Sequence, residues 1–394
     1  MSNLDQIFEE YAKREGLGGI YRGKNELLRR IYHDFNDSIH FQMQSNSNLP
    51  YANLYITSLS SEFSAYVFRE QGHYFIGISI GAIESLFRFF QFLYSQPYFD
   101  SGLGDSSKET ETTLDLSLNP DYLLDYFYNY DIDTQPKCPV RNSYSYQLFF
   151  KSVNYLLLHE YAHITHGHLD YLARGKKNFL YYEKDLIVSG NADIEKALEY
   201  DADTAASAFS IFDSIGMLLF GEAMISAHNL RLEIKQSYLA VYFLHKLTEL
   251  TDTELEDYNH KTHPISDQRT SAHGAMVVTF LAEQFKNGSI DVDDVSDYGS
   301  SILTDVAMPG YARLFNKDVL DDRLLFFYSK QGLPYINTVR EGWNKVRDEL
   351  EKYAYVKIAP YDEPLEGQGL YDYNNILKEK RDNDVDRGGK IQPK

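Results

Sequence analysis

Cysteine is nearly missing: Cys138 is the only one in 394 residues. No intrachain disulfide can form, and the chain reads as one suited to a reducing compartment, the cytoplasm. Cys138 lies in "TQPKCPV", with a proline close on either side, and is expected as a surface or loop residue rather than a nucleophile. Long apolar runs are missing too. The nearest, "IFDSIGMLLFGEAMISA" at 211–227, is interrupted by Asp213 and Glu222, so a buried helix is expected there and no membrane insertion. The start, "MSNLDQIFEEYAKREGLGG", carries acids early and has no apolar h-region, which argues against a signal peptide. Basic residues are scarce: 38 Lys and Arg stand against 58 Asp and Glu, a net charge of −20. That balance excludes a nucleic-acid backbone or an anionic lipid surface as the main partner. Neither a Gly-rich phosphate loop nor an internal repeat is found.

What is present suits a globular chain. Apolar residues make up 43%, and the length allows one large domain or two ordinary ones. The fold class expected is α+β, mainly helical. In "KNELLRRIYHDFNDSI" Leu27, Leu28, Ile31, Phe35 and Ile39 fall at helical intervals, and residues 1–60 form an N-terminal helical segment. "FSAYVF" and "HYFIGIS" are β-rich runs around a Gly-containing turn, which predicts a hairpin. "IGAIESLFRFFQFLYSQ" (80–96) returns to helical spacing, and 100–113 is a polar loop. Long helices are predicted over about 145–170, 193–212 and 214–250, then 266–285. Residues 61–290 are read as one core. The acidic "DVDDVSDYGSS" at 291–301 reads as a linker into helices at 318–330 and 337–354, a C-terminal region (291–357) of unknown role. The polar stretch 358–394 reads as a disordered tail.

The chemistry concentrates in "LLLHEYAHITHGH", residues 156–168. His159-Glu160-Tyr161-Ala162-His163 is an HExxH motif. On a helix, residues four apart share a face, so both imidazoles can reach one Zn²⁺. Glu160 is set to take a proton from a water held at the cation, which then attacks a carbonyl carbon. A catalytic zinc site needs a third protein ligand. The glycine-histidine pattern that places a third histidine further along is absent, since 166 and 169 are His166 and Leu169. "ALEYDADTAASAF" offers Glu199, with Asp203 four residues on and able to accept from a ligand histidine's distal N–H. Ala202, Thr204, Ala205, Ala206 and Ser207 would let this helix pack close to the first. Glu195 and His168 are rival third ligands, His168 being expected on the same helix as His163. Asp201 reads as part of an exposed acidic face, and His166 as a polar flank, while His168 lines the site or caps the helix.

Three of these stretches resemble the gluzincin peptidases of the CAAX prenyl protease/HtpX type. HEYAH, with His168 five residues beyond the second ligand, is similar to that family's metal helix. "LEYDAD" is similar to its ExxxD segment, and "THPISDQR" to its downstream Thr-His-Pro…Arg segment. The resemblance implies a zincin-like core with a small β-hairpin beside the HExxH helix. It implies Glu199 as zinc ligand, Asp203 behind a ligand histidine, His263 stabilising the oxyanion, and Arg269 helping to hold the site together. A looser likeness of residues 63–84 to that family's hairpin implies an edge strand that pairs with an extended substrate. Members of that family are often membrane-embedded, so this chain looks like a soluble relative. It is also similar, less specifically, to the Lit phage-exclusion and ImmA/IrrE peptidases, which act on particular cellular proteins.

The function expected is a soluble zinc endopeptidase acting on a specific intracellular protein or peptide, in stress, regulation or phage defence. Two alternatives share the same residues: a non-catalytic protein in which zinc pins two helices, and a zinc hydrolase of a non-peptide amide or ester. Glu160 separates the first of these, because a purely structural site does not need it.

Overall fold

The computed structural model describes residues 2–23, 25–112, 120–129, 132–174, 179–182, 191–221, 227–248, 263–284, 292–315, 326 and 329–362. The protein is mainly helical with one small sheet, an α+β chain. Two amphipathic helices open it, α1 (Asn3–Glu15) and α2 (Glu26–Ser45). Ser2 and Asp5 close a capping box at the start of α1.

Four strands follow: β1 (Ala52–Thr57), β2 (Ala65–Glu70), β3 (His73–Ser79) and, much later, β4 (Phe179–Tyr182). Their order across the sheet is β1-β3-β2-β4. The predicted hairpin is β2–β3, antiparallel, with Phe68 opposite Phe75, closed by Gln71 and Gly72 in the left-handed region. β1 adds parallel to β3, and β4 antiparallel to β2. The hairpin therefore supplies no edge of the sheet. Flanking segments whose strand character the sequence reading missed occupy both sides of it.

Strand alternation sends side chains to two different cores. Tyr66, Phe68 and Phe75 face α1, where Phe68 stacks on Tyr11 at 3.9 Å between ring centroids. Ala65, Val67, Ile76 and Ile78 face the main core. With both faces covered, the hairpin reads as an almost continuous buried run.

Helix α3 (Ile80–Tyr94) and then α4 (Pro120–Asn129) lead to α5 (Pro139–Thr165), the central rod of the molecule. Its 27 residues give a length of about 40 Å. It begins six residues earlier than predicted, because Pro139 takes the first helical position, where its missing N–H costs nothing. Cys138 is the N-cap and is buried, not on the surface: its backbone N–H donates to Glu109 and its Sγ accepts from Asp105. From Tyr155 to Thr165 every residue of α5 is buried, as expected of a helix packed on all sides.

α5 also ends earlier than predicted. Gly167 adopts φ +78, and a new short helix, α6 (His168–Ala173), starts in another direction. Asp170 of α6 is tied to the sheet by Arg69 at 2.7 Å and by the Tyr74 hydroxyl at 2.5 Å. Beyond β4 come α7 (Ala192–Gly221), α8 (Ala227–Thr248) and α9 (Ser266–Gln284). α7 lies against α5 through small residues, Ala202 and Ala205 against Ala162, as its composition suggested.

The predicted acidic linker is instead a helix, α10 (Val292–Ile302). Its Asp294 and Asp297 are exposed while Val295, Ile302 and the partly buried Tyr298 join the main core. α11 (Met308–Leu314) and α12 (Leu333–Leu350) complete the chain's helices among the described residues. α12 lies close on α7: a Cβ on Gly342 would come within 2.2 Å of the Asp193 carbonyl oxygen. The strand of chain after α12 then caps α5, Tyr355 N–H donating to the Thr165 carbonyl at 2.8 Å. Residues 249–262, most of the helix predicted at 318–330 and the tail from 363 lie outside the described residues.

Candidate metal centre

The HExxH stretch lies in the part of α5 where every residue is buried. His159 and His163 stand one turn apart, and their Nε2 atoms are 3.1 Å from one another. α7 crosses this turn and brings Glu199 into it. Glu199 Oε2 is 3.1 Å from His159 Nε2, and Oε1 is 3.5 Å from His163 Nε2. All three residues are at most 1% exposed. Together they form a cluster able to hold a metal ion. Glu160 follows His159 on α5, turned about 100° around the axis, and is buried as well. His263 arrives from the other direction, just ahead of Pro264 and α9. Its Nε2 is 3.3 Å from Glu199 Oε2, and its side chain, at 17%, is the most exposed of the group.

His159 and His163 each have a partner at the far nitrogen. His159 Nδ1 lies 2.9 Å from Asp203 Oδ1. Asp203 in turn is gripped by Arg269 of α9, and its backbone carbonyl accepts from the Tyr155 hydroxyl at 3.1 Å. His163 Nδ1 lies 3.0 Å from Nδ1 of His168. His168 does not share α5: the turn at Gly167 swings it back over the end of that helix. A Cβ on Gly167 would come within 2.5 Å of the Tyr353 backbone, so glycine is needed there for space as well as for its φ.

The electrostatics follow from burial and proximity. Burial raises the Glu199 carboxyl, but His263, His163 and His159 outweigh it and hold it well below the usual carboxylate range. Burial likewise raises Asp203, and the Arg269 guanidinium and His159 bring it well below. Burial lowers His159, but Asp203 and Glu199 more than offset that, and its pKa is raised. His163, deprived of a carboxylate at Nδ1, is carried below its ordinary value chiefly by burial. The centre therefore holds ionised carboxylates beside imidazoles of unequal basicity, a donor set suited to a divalent cation.

The cluster brings together six of the eight residues singled out from sequence, His159, His163, Glu199, Asp203, His263 and Arg269. His168 joins it from a separate helix. Glu160 is placed beside it on α5. Glu195 is buried rather than on an exposed acidic face, and belongs to no metal-capable cluster among the described residues. Asp201 is also buried, and His166 is engaged with it. The acidic face expected on α7 does not form there, because α6 and the end of α5 cover it.

Sequence reasoning missed three residues behind the site. His245 Nε2 of α8 lies 3.8 Å from Asp203 Oδ1. His273 of α9 pairs Nδ1 with Ser207 at 2.9 Å and Nε2 with Ser237 at 3.0 Å. Burial, with Arg269 next, takes His245 down to about 4, and burial with His245 takes His273 down to about 3, so both are neutral hydrogen-bonding groups at pH 7. Tyr155 is the third. One signal was available: Tyr155 and His159, like Arg269 and His273, stand four apart on their helices and so share faces.

Residues 133–277 match the model of the family described as Peptidase U49. The matched stretch runs from just before α5 into α9 and contains all eight singled-out residues. It supports a peptidase, acting on protein or peptide substrates. No curated protein and no solved structure matches the chain. Among the described residues no helix is long and apolar enough to cross a membrane.

Proposed function

We propose that the protein is a zinc-dependent endopeptidase of the gluzincin type, cytoplasmic, hydrolysing peptide bonds of a specific protein. One observation carries this reading: two helices bring two imidazole nitrogens and one carboxylate together, its Oε2 toward His159 and its Oε1 toward His163. Bonds of about 2.0–2.1 Å to a tetrahedral zinc set neighbouring ligand atoms about 3.3 Å apart. The nitrogen–nitrogen separation, 3.1 Å, and the nitrogen–oxygen separations, 3.1 Å to Oε2 and 3.5 Å to Oε1, bracket that value. The donor set fits zinc in kind as well, two imidazoles and a carboxylate.

Bound zinc supplies a Lewis acid that polarises the scissile carbonyl and makes a water acidic enough to attack near neutral pH. The chain's own residues do the rest. His159 and His163 offer Nε2 lone pairs because their Nδ1 protons are engaged by Asp203 and His168. Glu199 offsets the cation's charge. Glu160 takes the proton of the attacking water on its carboxylate and hands it to the leaving amine. His263, with Nε2 at the same carboxylate and partial exposure, is placed to donate to the oxyanion.

A second reading has a specific observation behind it. His263 Nε2 stands 3.3 Å from Glu199 Oε2, the separation expected of two ligands of one zinc. As a fourth protein ligand His263 would close the site and make it structural. Glu160 favours the enzyme, since a closed site has no use for a buried carboxylate at that turn. The test is Glu160→Gln: one zinc per chain retained, with cleavage reduced by about 10²–10⁴ or more. Comparison of cut sites across the proteome of cells carrying either form would name the substrate. Full cleavage by Glu160→Gln overturns the mechanism.

A further inference from the structure

Beside the centre lies a second group of metal-ligating side chains that its chemistry does not yet use. His166, His168 and Asp201 place donor atoms within 4.8 Å of one another. His168 is fully buried and Asp201 nearly so, while His166 reaches the surface. Asp201 Oδ2 takes both histidines, His168 Nε2 at 2.9 Å and His166 Nδ1 at 2.5 Å. His168 turns its other nitrogen, Nδ1, to His163 Nδ1 at 3.0 Å.

Counting protons decides what this group is for. A neutral His163 that gives Nε2 to a cation must keep its proton on Nδ1. The nitrogen facing that proton, His168 Nδ1, must then accept, so His168 carries its own proton on Nε2. That proton points at a carboxylate oxygen, Asp201 Oδ2, which also receives the His166 N–H. Every donor in the chain meets an acceptor. A second cation on His168 Nε2 would drive the His168 proton to Nδ1 and set two N–H groups face to face across 3.0 Å. The second cluster is therefore incompatible with a cation of its own while the first is filled.

We propose that Asp201, acting through His168, is a positioning residue for the metal centre. This rests on the zinc reading above. The chain Asp201–His168–His163 fixes one tautomer and one ring orientation of His163, and His166 closes its solvent end. The two ligand histidines are thus supported differently. His159 has a carboxylate directly behind it, whereas His163 has one displaced by an imidazole. The turn at Gly167 makes this possible, because only a break in α5 lets a residue five beyond His163 face the ring's far side.

The experiment is zinc affinity, measured by competition with a chromophoric chelator, together with zinc stoichiometry, on the full chain and four variants. The wild type should bind one zinc. His168→Leu, which leaves the His163 N–H facing apolar atoms, should weaken binding about 10–100-fold. His168→Asn sets a carbonyl oxygen near the lost Nδ1 and should recover most of that loss, which a role in packing alone would not permit. Asp201→Asn keeps an acceptor but removes the charge, and should weaken zinc less than His168→Leu while folding normally. Equal affinity in wild type, His168→Leu and Asp201→Asn overturns the proposal and leaves the zinc reading intact. So do loss without rescue in His168→Asn and a second zinc that disappears in His166→Ala. Absence of zinc from the wild type would instead overturn the zinc reading, and this inference with it.

Discussion

Arg269 holds Asp203 by two parallel hydrogen bonds, Nε to Oδ2 at 2.7 Å and Nη2 to Oδ1 at 2.9 Å, with Asp203 wholly buried and Arg269 nearly so. The pair spans α7 and α9 and presents one carboxylate oxygen to the far nitrogen of His159. Neither partner is safe to remove alone. Arg269→Met should leave a buried, uncompensated carboxylate and lower stability by about 3–5 kcal/mol, measured by urea unfolding of the zinc-free chain. Arg269→Lys keeps the charge but cannot form the two-pronged contact, and should fall between. If Arg269→Met unfolds at the wild-type urea concentration, the pair does not brace the site.

His263 separates the open centre from the closed one. As a donor to the oxyanion, its replacement by alanine should leave zinc affinity nearly unchanged. The chemical step should slow by about 10²–10³, the loss typical of one such donor. As a fourth ligand, the same change should loosen zinc markedly. Chelator competition and single-turnover cleavage, run on the same preparation of His263→Ala, give opposite patterns for the two cases. Loss of zinc from His263→Ala would argue against a hydrolase.

The HExxH helix and its acidic partner were legible in the sequence because their residues recur at the helical period. His159 and His163, and then Glu199 and Asp203, are each four apart, and helical geometry alone puts each pair on one face. The hairpin was legible from two short β-rich runs around a glycine-containing turn. What was not legible depends on tertiary contact. Asp201 carries the composition of a solvated face, and only His166 at the end of α5 and His168 at the start of α6 make it a buried acceptor. His168 looked like a continuation of α5, since a single Gly167 inside a helical pattern is often tolerated. The need for glycine at that position comes in part from the Tyr353 backbone, which lies almost two hundred residues away in the chain and leaves no room for a Cβ. α10 reads as a linker by its charge, because its few apolar residues acquire meaning only against α8 and α9.

Arg141 is another residue whose role no local pattern announces. It is fully buried at the start of α5, and its nitrogens donate to five backbone carbonyls: Tyr94, Gln96, Phe99, Asp100 and Leu103. Glu109, 3.8 Å away, balances the charge. One side chain thus closes the turn-rich segment after α3, using every donor a guanidinium has. Arg141→Ala should strand several buried carbonyls and cost about 3–5 kcal/mol. Arg141→Lys, with three donors instead of five, should recover only part. Thermal unfolding of both variants checks this, and zinc content should stay at the wild-type level because Arg141 and His159 stand about 27 Å apart along α5.

Asp213 gives the molecule a stability that depends on pH from a place away from the centre. It lies on α7, and Gln42 of α2 donates to its Oδ1 at 2.8 Å. Burial pushes its carboxyl from the ordinary 3.8 up to about 7, with hydrogen bonds from Ser38 and Gln42 pulling weakly the other way. Between pH 4 and 7 the unfolded chain has released this proton while the folded one still holds it. The unfolded state therefore binds fewer protons, and stability falls as pH rises through that window, by about 1.4 kcal/mol per unit. Below it the contribution is fully present; above it nothing further is lost. The whole effect amounts to about 4 kcal/mol. Asp213→Asn keeps an acceptor for Gln42 and has no proton to lose, so its stability relative to wild type should climb from pH 4.5 to pH 7.5 and then level off. Urea unfolding of both chains with zinc chelated, at pH 4.5, 6.0, 7.5 and 8.5, isolates the difference, because every other titrating group is common to the two. A difference that stays constant across those four values would mean that Asp213 is ionised in the folded protein throughout.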